Sequence, residues 1–177
     1  MKRMGIDAST KCTGYCIFED KKLIRYNKIE IIDSNTDWRD RVVYMMKELS
    51  AVITEEKVNQ VCVEVPIKTI QNVNTLEQLF SLHGAILGMC ATLGVEVIPI
   101  EVNKWRKDLH LLSNIPKGGN KRAILKERSI KLANELYGLD LVWKSPNSKK
   151  NDDDISDSIL ICHSVIHEND RGFGFLK

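Results

Sequence analysis

Carboxylates stand inside apolar segments at three separate places in the chain. Asp7 belongs to GIDASTKCTGYCIF, Glu64 to VCVEVP, and a run of aspartates to NDDDISDSILICHSVI. An ionised carboxylate in an apolar strand or helix is costly unless it is paired, solvated or bound to a metal. We therefore expect these acids to share one explanation, an acidic site that holds divalent cations.

The aspartate run opens a predicted helix, so its spacing decides which carboxylates share a face. Asp154 and Asp157 are three residues apart, and Asp153 and Asp157 are four apart, so either pair is possible. The alternative is that these acids only offset the helix dipole, which favours each by about 0.3–1 kcal/mol. For Glu64 the alternative is a salt bridge to a lysine, and for Asp7 it is capping of the turn at 9–10.

Carboxylates without histidine or thiolate partners are the donors that Mg²⁺ or Mn²⁺ prefers. Two such ions can activate a water molecule and stabilise the attacking and leaving oxygens of a phosphodiester. No nucleophilic side chain is needed for this chemistry. The acids therefore indicate metal-dependent phosphodiester hydrolysis, and nearby lysines would steady the phosphate.

Length and composition predict one domain covering residues 1–177. Charged residues make up 28% of the chain and apolar residues 43%, which are ordinary values for a globular protein. A chain of this size buries roughly 70% of its unfolded surface. We find no apolar stretch of about 18 residues and no signal peptide, so we expect a cytoplasmic protein without a membrane partner.

Basic residues are concentrated in one part of a nearly neutral chain. The net charge is +2, yet residues 101–131 hold nine Lys or Arg and three acids, a local net charge of +6. Such a block is often only a solvated helix face. Next to acidic segments, it favours a polyanionic partner such as nucleic acid.

Hydrophobic periodicity predicts an α/β protein with the order β-β-β-α-β-α-β followed by helices. We expect strands at 3–8, 13–19, 22–32, 58–65 and 95–100, the first three forming an antiparallel meander. We expect helices from Thr36 or Asp37, from an Asn74 cap to Gly94, at 102–109, at 121–137 and at 152–168.

The first and fourth predicted strands are apolar on both faces, which indicates central, parallel neighbours in the sheet. Asp7 and Glu64 both lie at the carboxyl ends of these strands, where sites gather in open α/β sheets. The acidic start of the last helix then only has to lie over the same edge. Four carboxylates can meet there.

These motifs resemble the ribonuclease H-like superfamily, specifically the RuvC-type Holliday junction resolvases. The resemblance rests on Asp7 with Thr13-Gly14-Tyr15, the glutamate of VCVEVP, and DISDS at the start of a final helix. It spans nearly the whole chain. Low similarity elsewhere is typical of a divergent member such as a phage or viral one.

The resemblance implies a mixed five-stranded sheet flanked by helices, and a homodimer that nicks four-way DNA junctions with two Mg²⁺ or Mn²⁺ ions and no nucleotide cofactor. It places the metal-binding and catalytic carboxylates on four residues, Asp7, Glu64, Asp154 and Asp157. Lys121 matches a catalytic lysine that opens a helix after a glycine-bearing loop. Lys107 matches a second basic residue.

Nucleic-acid contacts are expected from the basic block and from one apolar residue. Where cellular resolvases carry an aromatic wedge after the glutamate, this chain has Ile67, which can wedge between base steps or simply pack in a loop. The expected DNA-binding residues are Lys107, Lys117, Lys121, Arg122, Lys126 and Ile67.

Three rival functions remain open at this level. The first motif also resembles the phosphate loop of actin-like ATPases and sugar kinases, but those proteins need two such domains. A related nuclease acting on RNA or on non-junction DNA has the same acids. A catalytically inactive binding module is the third, and the presence of all four acids argues against it.

Overall fold

Five strands form one mixed sheet in the computed structural model, which describes residues 1–31, 33, 35–66 and 72–168. The strand order is β3-β2-β1-β4-β5; the first three strands in the chain pair antiparallel, and β1, β4 and β5 pair parallel. The predicted fold class is confirmed. The strands are Lys2–Asp7 (β1), Cys12–Glu19 (β2), Lys22–Glu30 (β3), Gln60–Glu64 (β4) and Glu96–Ile100 (β5).

Helices connect and follow the parallel strands. They are Trp38–Glu56 (α1), Val73–Leu93 (α2), Val102–Asp108 (α3), Lys121–Tyr137 (α4) and Asp153–Ile166 (α5). Asp37 caps α1, and Gly94 and Gly138 end α2 and α4 in the left-handed conformation, as predicted. The predicted Asn74 cap of α2 is wrong, because the Asn72 side chain accepts the Thr75 backbone N–H and starts the helix earlier.

The helices cover both faces of the sheet and divide the core in two. Helices α1 and α2 pack on the face that carries Met4, Ile6 and Val63. Helices α3, α4 and α5 pack on the face that carries Cys16 and Cys62. Because side chains alternate along a strand, Gly5, Asp7, Cys62 and Glu64 belong to the α5 face.

Helix α5 lies unusually close to the sheet because two glycines face it. A Cβ added to Gly5 would stand 2.2 Å from the Ser158 carbonyl oxygen, and one added to Gly14 would stand 1.9 Å from the Asp154 carbonyl oxygen. The Cys16 thiol donates to the Ser158 carbonyl at 3.2 Å. The helix backbone therefore rests directly on β1 and β2.

Helix α2 carries more exposed apolar surface than a core helix does. By length and composition alone it could cross a membrane, with a mean hydropathy of 1.2 over 18 residues of which 17% are buried. The prediction that no such stretch exists is thus wrong, because the Ser, Thr and Gly residues that interrupt the apolar residues of α2 lower the mean hydropathy only slightly. Leu82, Ile86 and Cys90 pack against the sheet, so α2 is also part of the core.

We expect Gly14→Ala to lower the free energy of unfolding by more than about 3 kcal/mol, the upper end of ordinary overpacking penalties. The added methyl group meets backbone atoms of α5, which cannot move aside like a flexible side chain. Urea unfolding followed by circular dichroism measures the change.

Gly88→Ala is the matched control, because a Cβ on this α2 residue meets nothing within 4 Å. Alanine in a helix interior should raise stability by roughly 0.5–1 kcal/mol. Equal stability of wild type and Gly14→Ala would show that α5 does not need this close contact.

Candidate acidic site and the basic surface beside it

Asp7 and Glu64 lie side by side at the carboxyl edge of the sheet. Strands β1 and β4 pair in parallel with Ile6 opposite Val63, so the next residues of the two strands, the two acids, are neighbours. Both side chains belong to the α5 face. The predicted meeting of the first two carboxylates is confirmed.

Helix α5 brings its aspartates to the same edge. Asp7 is paired in register with Gly14, and the backbone of Asp154 lies against Gly14. Burial raises the pKa of the Asp7 carboxyl well above its usual range, and the charges of Asp157, Glu64 and Asp154 raise it further. Asp157, Glu64 and Asp154 therefore all lie close enough to Asp7 for their charges to act on its carboxyl group.

Two residues of α3 hold two of these carboxylates. The Trp105 indole Nε1–H donates to Glu64 Oε2 at 2.9 Å, and Arg106 Nη2 donates to Asp157 Oδ2 at 3.3 Å. Burial still raises the pKa of Glu64 and of Asp157, although the indole and the guanidinium each lower it. Glu64 is thus held by an indole, and the lysine salt bridge considered above is absent among the described residues.

The structure separates Asp153 from Asp154. Asp153 is buried and forms a salt bridge with Lys126 of α4, whereas Asp154 lies beside the Cys12 thiol, which donates to Glu30 Oε1 at 3.8 Å. Burial raises the pKa of Asp154, and its charge acts on Asp7. Of the two aspartates, Asp154 is therefore the one next to Asp7.

The carboxylates fit a divalent cation in charge and donor type, although their side chains are not grouped around a single point. In the described part of the chain, no three Asp, Glu, His or Cys side chains are arranged to hold one ion. Glu64 and Asp157 instead turn to the indole and the guanidinium. Asp157 Oδ1 is buried and accepts no hydrogen bond from the described residues, so this oxygen can serve as a ligand.

Of the predicted basic residues, only Lys126 contacts an acid near the site, through Asp153. Lys107, Lys117, Lys121 and Arg122 are exposed, and Lys121 is the first residue of α4, after its Asn120 cap. Their roles stay predictions. Ile67 lies outside the described residues.

Trp105 and Arg106 are the residues that sequence reasoning missed. Both stand in the basic block, directly before Lys107, in a short helix. The guanidinium also lies 4.9 Å from the Trp105 ring, which fixes the pair against each other. The only signal in the sequence was Trp105 itself, which stands about one turn after β5, the strand that neighbours β4.

The fold is similar to that of solved Holliday junction resolvases of the RuvC type. Three solved structures illustrate this likeness. Thermus thermophilus RuvC in complex with a Holliday junction substrate is 14% identical, with 96% of each chain covered and a TM-score of 0.70. Fowlpox virus resolvase with Holliday junction DNA is 17% identical, covering 96% of this chain and 99% of that one, with a TM-score of 0.58.

The yeast mitochondrial Holliday junction resolvase Ydc2 is 15% identical, covering 93% of this chain and 77% of that one, with a TM-score of 0.55. No protein-family model and no curated sequence matches the chain. The likeness predicted from the motifs is thus confirmed in the fold, at sequence identities of 14–17%.

We expect Asp7→Asn to raise the thermal midpoint at pH 7. The Asp7 pKa is raised in the folded state, so the folded protein binds more protons than the unfolded one between about pH 4 and that pKa. Stability therefore falls as pH rises through the folded pKa, and the amide removes this loss. Each 1 kcal/mol of stability gained raises the thermal midpoint by about 2–4 °C in a chain of this size.

Differential scanning fluorimetry from pH 4 to pH 8 tests this expectation: the gain should shrink toward pH 4, where Asp7 is protonated. Asp20→Asn is the control, because the N-terminal amine lowers the pKa of the exposed Asp20 and no gain is expected. A lower midpoint for Asp7→Asn than for wild type at pH 7 would contradict the repulsion described here.

Proposed function

We propose that this chain is a structure-selective DNA endonuclease that resolves four-way or other branched DNA by metal-dependent phosphodiester hydrolysis. The observation that carries the proposal is the convergence of Asp7, Glu64, Asp154 and Asp157 at one sheet edge. The fold likeness supports it, because two of the similar structures are resolvases with Holliday junction DNA. A divergent viral or phage origin and a cytoplasmic location belong to the same proposal.

The four carboxylates would hold Mg²⁺ or Mn²⁺, two ions per site. When bound, such ions supply an activated water and stabilise the attacking and leaving oxygens of the phosphodiester. Trp105 orients Glu64, and Arg106 orients Asp157 and offsets part of the negative charge of the acids. These residues keep the carboxylates in place despite their mutual repulsion.

The basic residues supply affinity for the DNA backbone. Lys107, Lys117, Lys121, Arg122 and Lys126 stand on or between α3 and α4, on the same face of the sheet as the acids. Lys121 is proposed to steady the scissile phosphate. Contacts of this kind position the substrate without reading its sequence, and they weaken with salt.

A nuclease acting on RNA or on non-junction DNA is the alternative. It would use the same acids, since their chemistry does not depend on the sugar or on branching. Paired symmetric cutting of a four-way junction needs a second active site at a fixed distance, so the assembly of the protein distinguishes the two functions.

A homodimer through α2 would supply that second site. Val73, Phe80 and Leu87 repeat every seven residues and are 75%, 39% and 41% exposed. Gly84, between the last two, has nothing within 4 Å of its Cβ position, so another helix can approach closely. A second copy of the chain fits this stripe, because a symmetric junction offers two equivalent strands to cut.

We expect wild type with Mg²⁺ to place paired symmetric nicks in a synthetic four-way junction, and to leave linear duplex and RNA–DNA hybrid uncut. Asp7→Asn should lower the cleavage activity by more than about 100-fold. Loss of a residue that only supports a metal ligand already costs up to about that factor. The affinity of Asp7→Asn for the junction should stay close to wild type. Gel assays with end-labelled strands and anisotropy measure both.

Magnesium should also raise the thermal midpoint of wild type and not that of Asp7→Asn. At 100 times the dissociation constant, the gain in stability of wild type is about 2.7 kcal/mol. Cleavage of the hybrid in preference to the junction would support the alternative function. Retention of cleavage by Asp7→Asn would reject the acidic site itself.

We expect Leu87→Glu to convert a dimer into a monomer, because the substitution buries a carboxylate in an apolar contact. Sedimentation velocity measures the change, and paired nicking should become single nicking. Leu136→Glu is the control: Leu136 is 44% exposed and lies on α4, on the opposite face of the sheet. A wild type that is monomeric at micromolar concentration would refute the α2 interface.

A further inference from the structure

A cavity of about 720 Å³ opens beside the acidic site, on the side of Asp154. Its volume lies within the about 300–1,000 Å³ range of ligand sites. The acidic site forms one wall through Asp153 and Asp154, and Arg41 of α1 stands in another. Of its lining residues, only Arg122 and Lys126 belong to the DNA-binding residues proposed above.

The cavity carries an excess of positive charge. Lys28 pairs with Glu30 at 3.1 Å, and Lys126 pairs with Asp153. Four more cationic side chains line the cavity with no carboxylate of the described residues within 4.0 Å. They are Lys11, Arg41, Arg122 and Lys149. The other acids of the lining are Asp33 and Asp154, so the lining carries a net positive charge.

Arg41 is the residue that most needs explanation. It is only 7% exposed, and its Nε is buried and makes no hydrogen bond to any described residue. Among the described residues, its guanidinium makes one hydrogen bond, from Nη2 to Gln78 Oε1 at 3.5 Å, a long distance for such a bond. A buried guanidinium without an anionic partner costs free energy, which a structural role alone does not offset.

We propose that Arg41 and Lys149 bind a backbone phosphate of the nucleic acid strand, next to the phosphate that is cut. A guanidinium presents paired donors that match phosphate oxygens, and Lys149 adds a second charge from an exposed loop. The cavity adjoins both Asp154 and Arg122 of the basic block, so one strand passes from it to the acids. This inference rests on the proposed function for its substrate class.

The test is fluorescence anisotropy with a short duplex and with a four-way junction, in EDTA, over a range of NaCl concentrations. Loss of one phosphate contact reduces the slope of log affinity against log salt by about 0.9 on duplex DNA. Arg41→Met and Lys149→Ala should each show this loss, and Arg41→Lys should restore part of it.

Arg39→Met is the matched control, because Arg39 lies two residues away on α1, about 200° around the helix, and stacks on Trp38 at 4.5 Å. Its salt slope should equal that of wild type. Thermal midpoints separate binding from structure: removal of an unpaired buried charge should leave the midpoint of Arg41→Met unchanged or higher.

Unchanged salt slopes in both Arg41→Met and Lys149→Ala would overturn the proposal. A lower midpoint for Arg41→Met together with a wild-type slope for Lys149→Ala would also overturn it, since Arg41 would then be structural. Reduced slopes in a protein that cuts no junction would support the phosphate site and reject only the endonuclease. Normal junction cutting with unchanged salt slopes would support the endonuclease and reject the phosphate site.

Discussion

The close contact between α5 and the sheet is the constraint on which the site depends. Two residues without side chains, Gly5 in β1 and Gly14 in β2, let carbonyl groups of α5 lie directly on the strands. Any larger residue would lift the helix by the width of a methyl group or more. Asp154 and Asp157 would then no longer reach the edge where Asp7 and Glu64 end.

That contact creates an electrostatic problem, which α3 and α4 partly solve. Burial raises the pKa of Asp7, and the charges of the three other carboxylates add to the effect. Arg106 and Trp105 offset this from α3, and Lys126 takes Asp153 out of the group. The neutralisation is partial, because Asp157 keeps one buried oxygen without a donor among the described residues. A stable fold would remove such a conflict unless function required it.

Periodicity and motif position were enough to predict the sheet, its mixed pairing and the meeting of Asp7 with Glu64, because these follow from strand alternation and parallel neighbours. Helix starts were less certain, as the Asn72 cap of α2 shows, since two asparagines two residues apart compete for one position. The sequence did not predict the contacts of Trp105, Arg106 and Arg41, for a different reason. Their partners are distant in sequence, and side-chain direction on a helix is fixed only by packing.

The two faces of the sheet carry different groups of residues. The face under α3, α4 and α5 carries the acids and most of the basic block, so the substrate contacts proposed for this chain concentrate there. The face under α1 and α2 contributes core packing and the exposed stripe of α2. Arg41 is the exception, because it comes from α1 and yet lines the cavity beside Asp154. A strand bound there would contact both layers at the sheet edge, so it would connect the helix layer that carries the proposed dimer surface with the proposed site of cleavage.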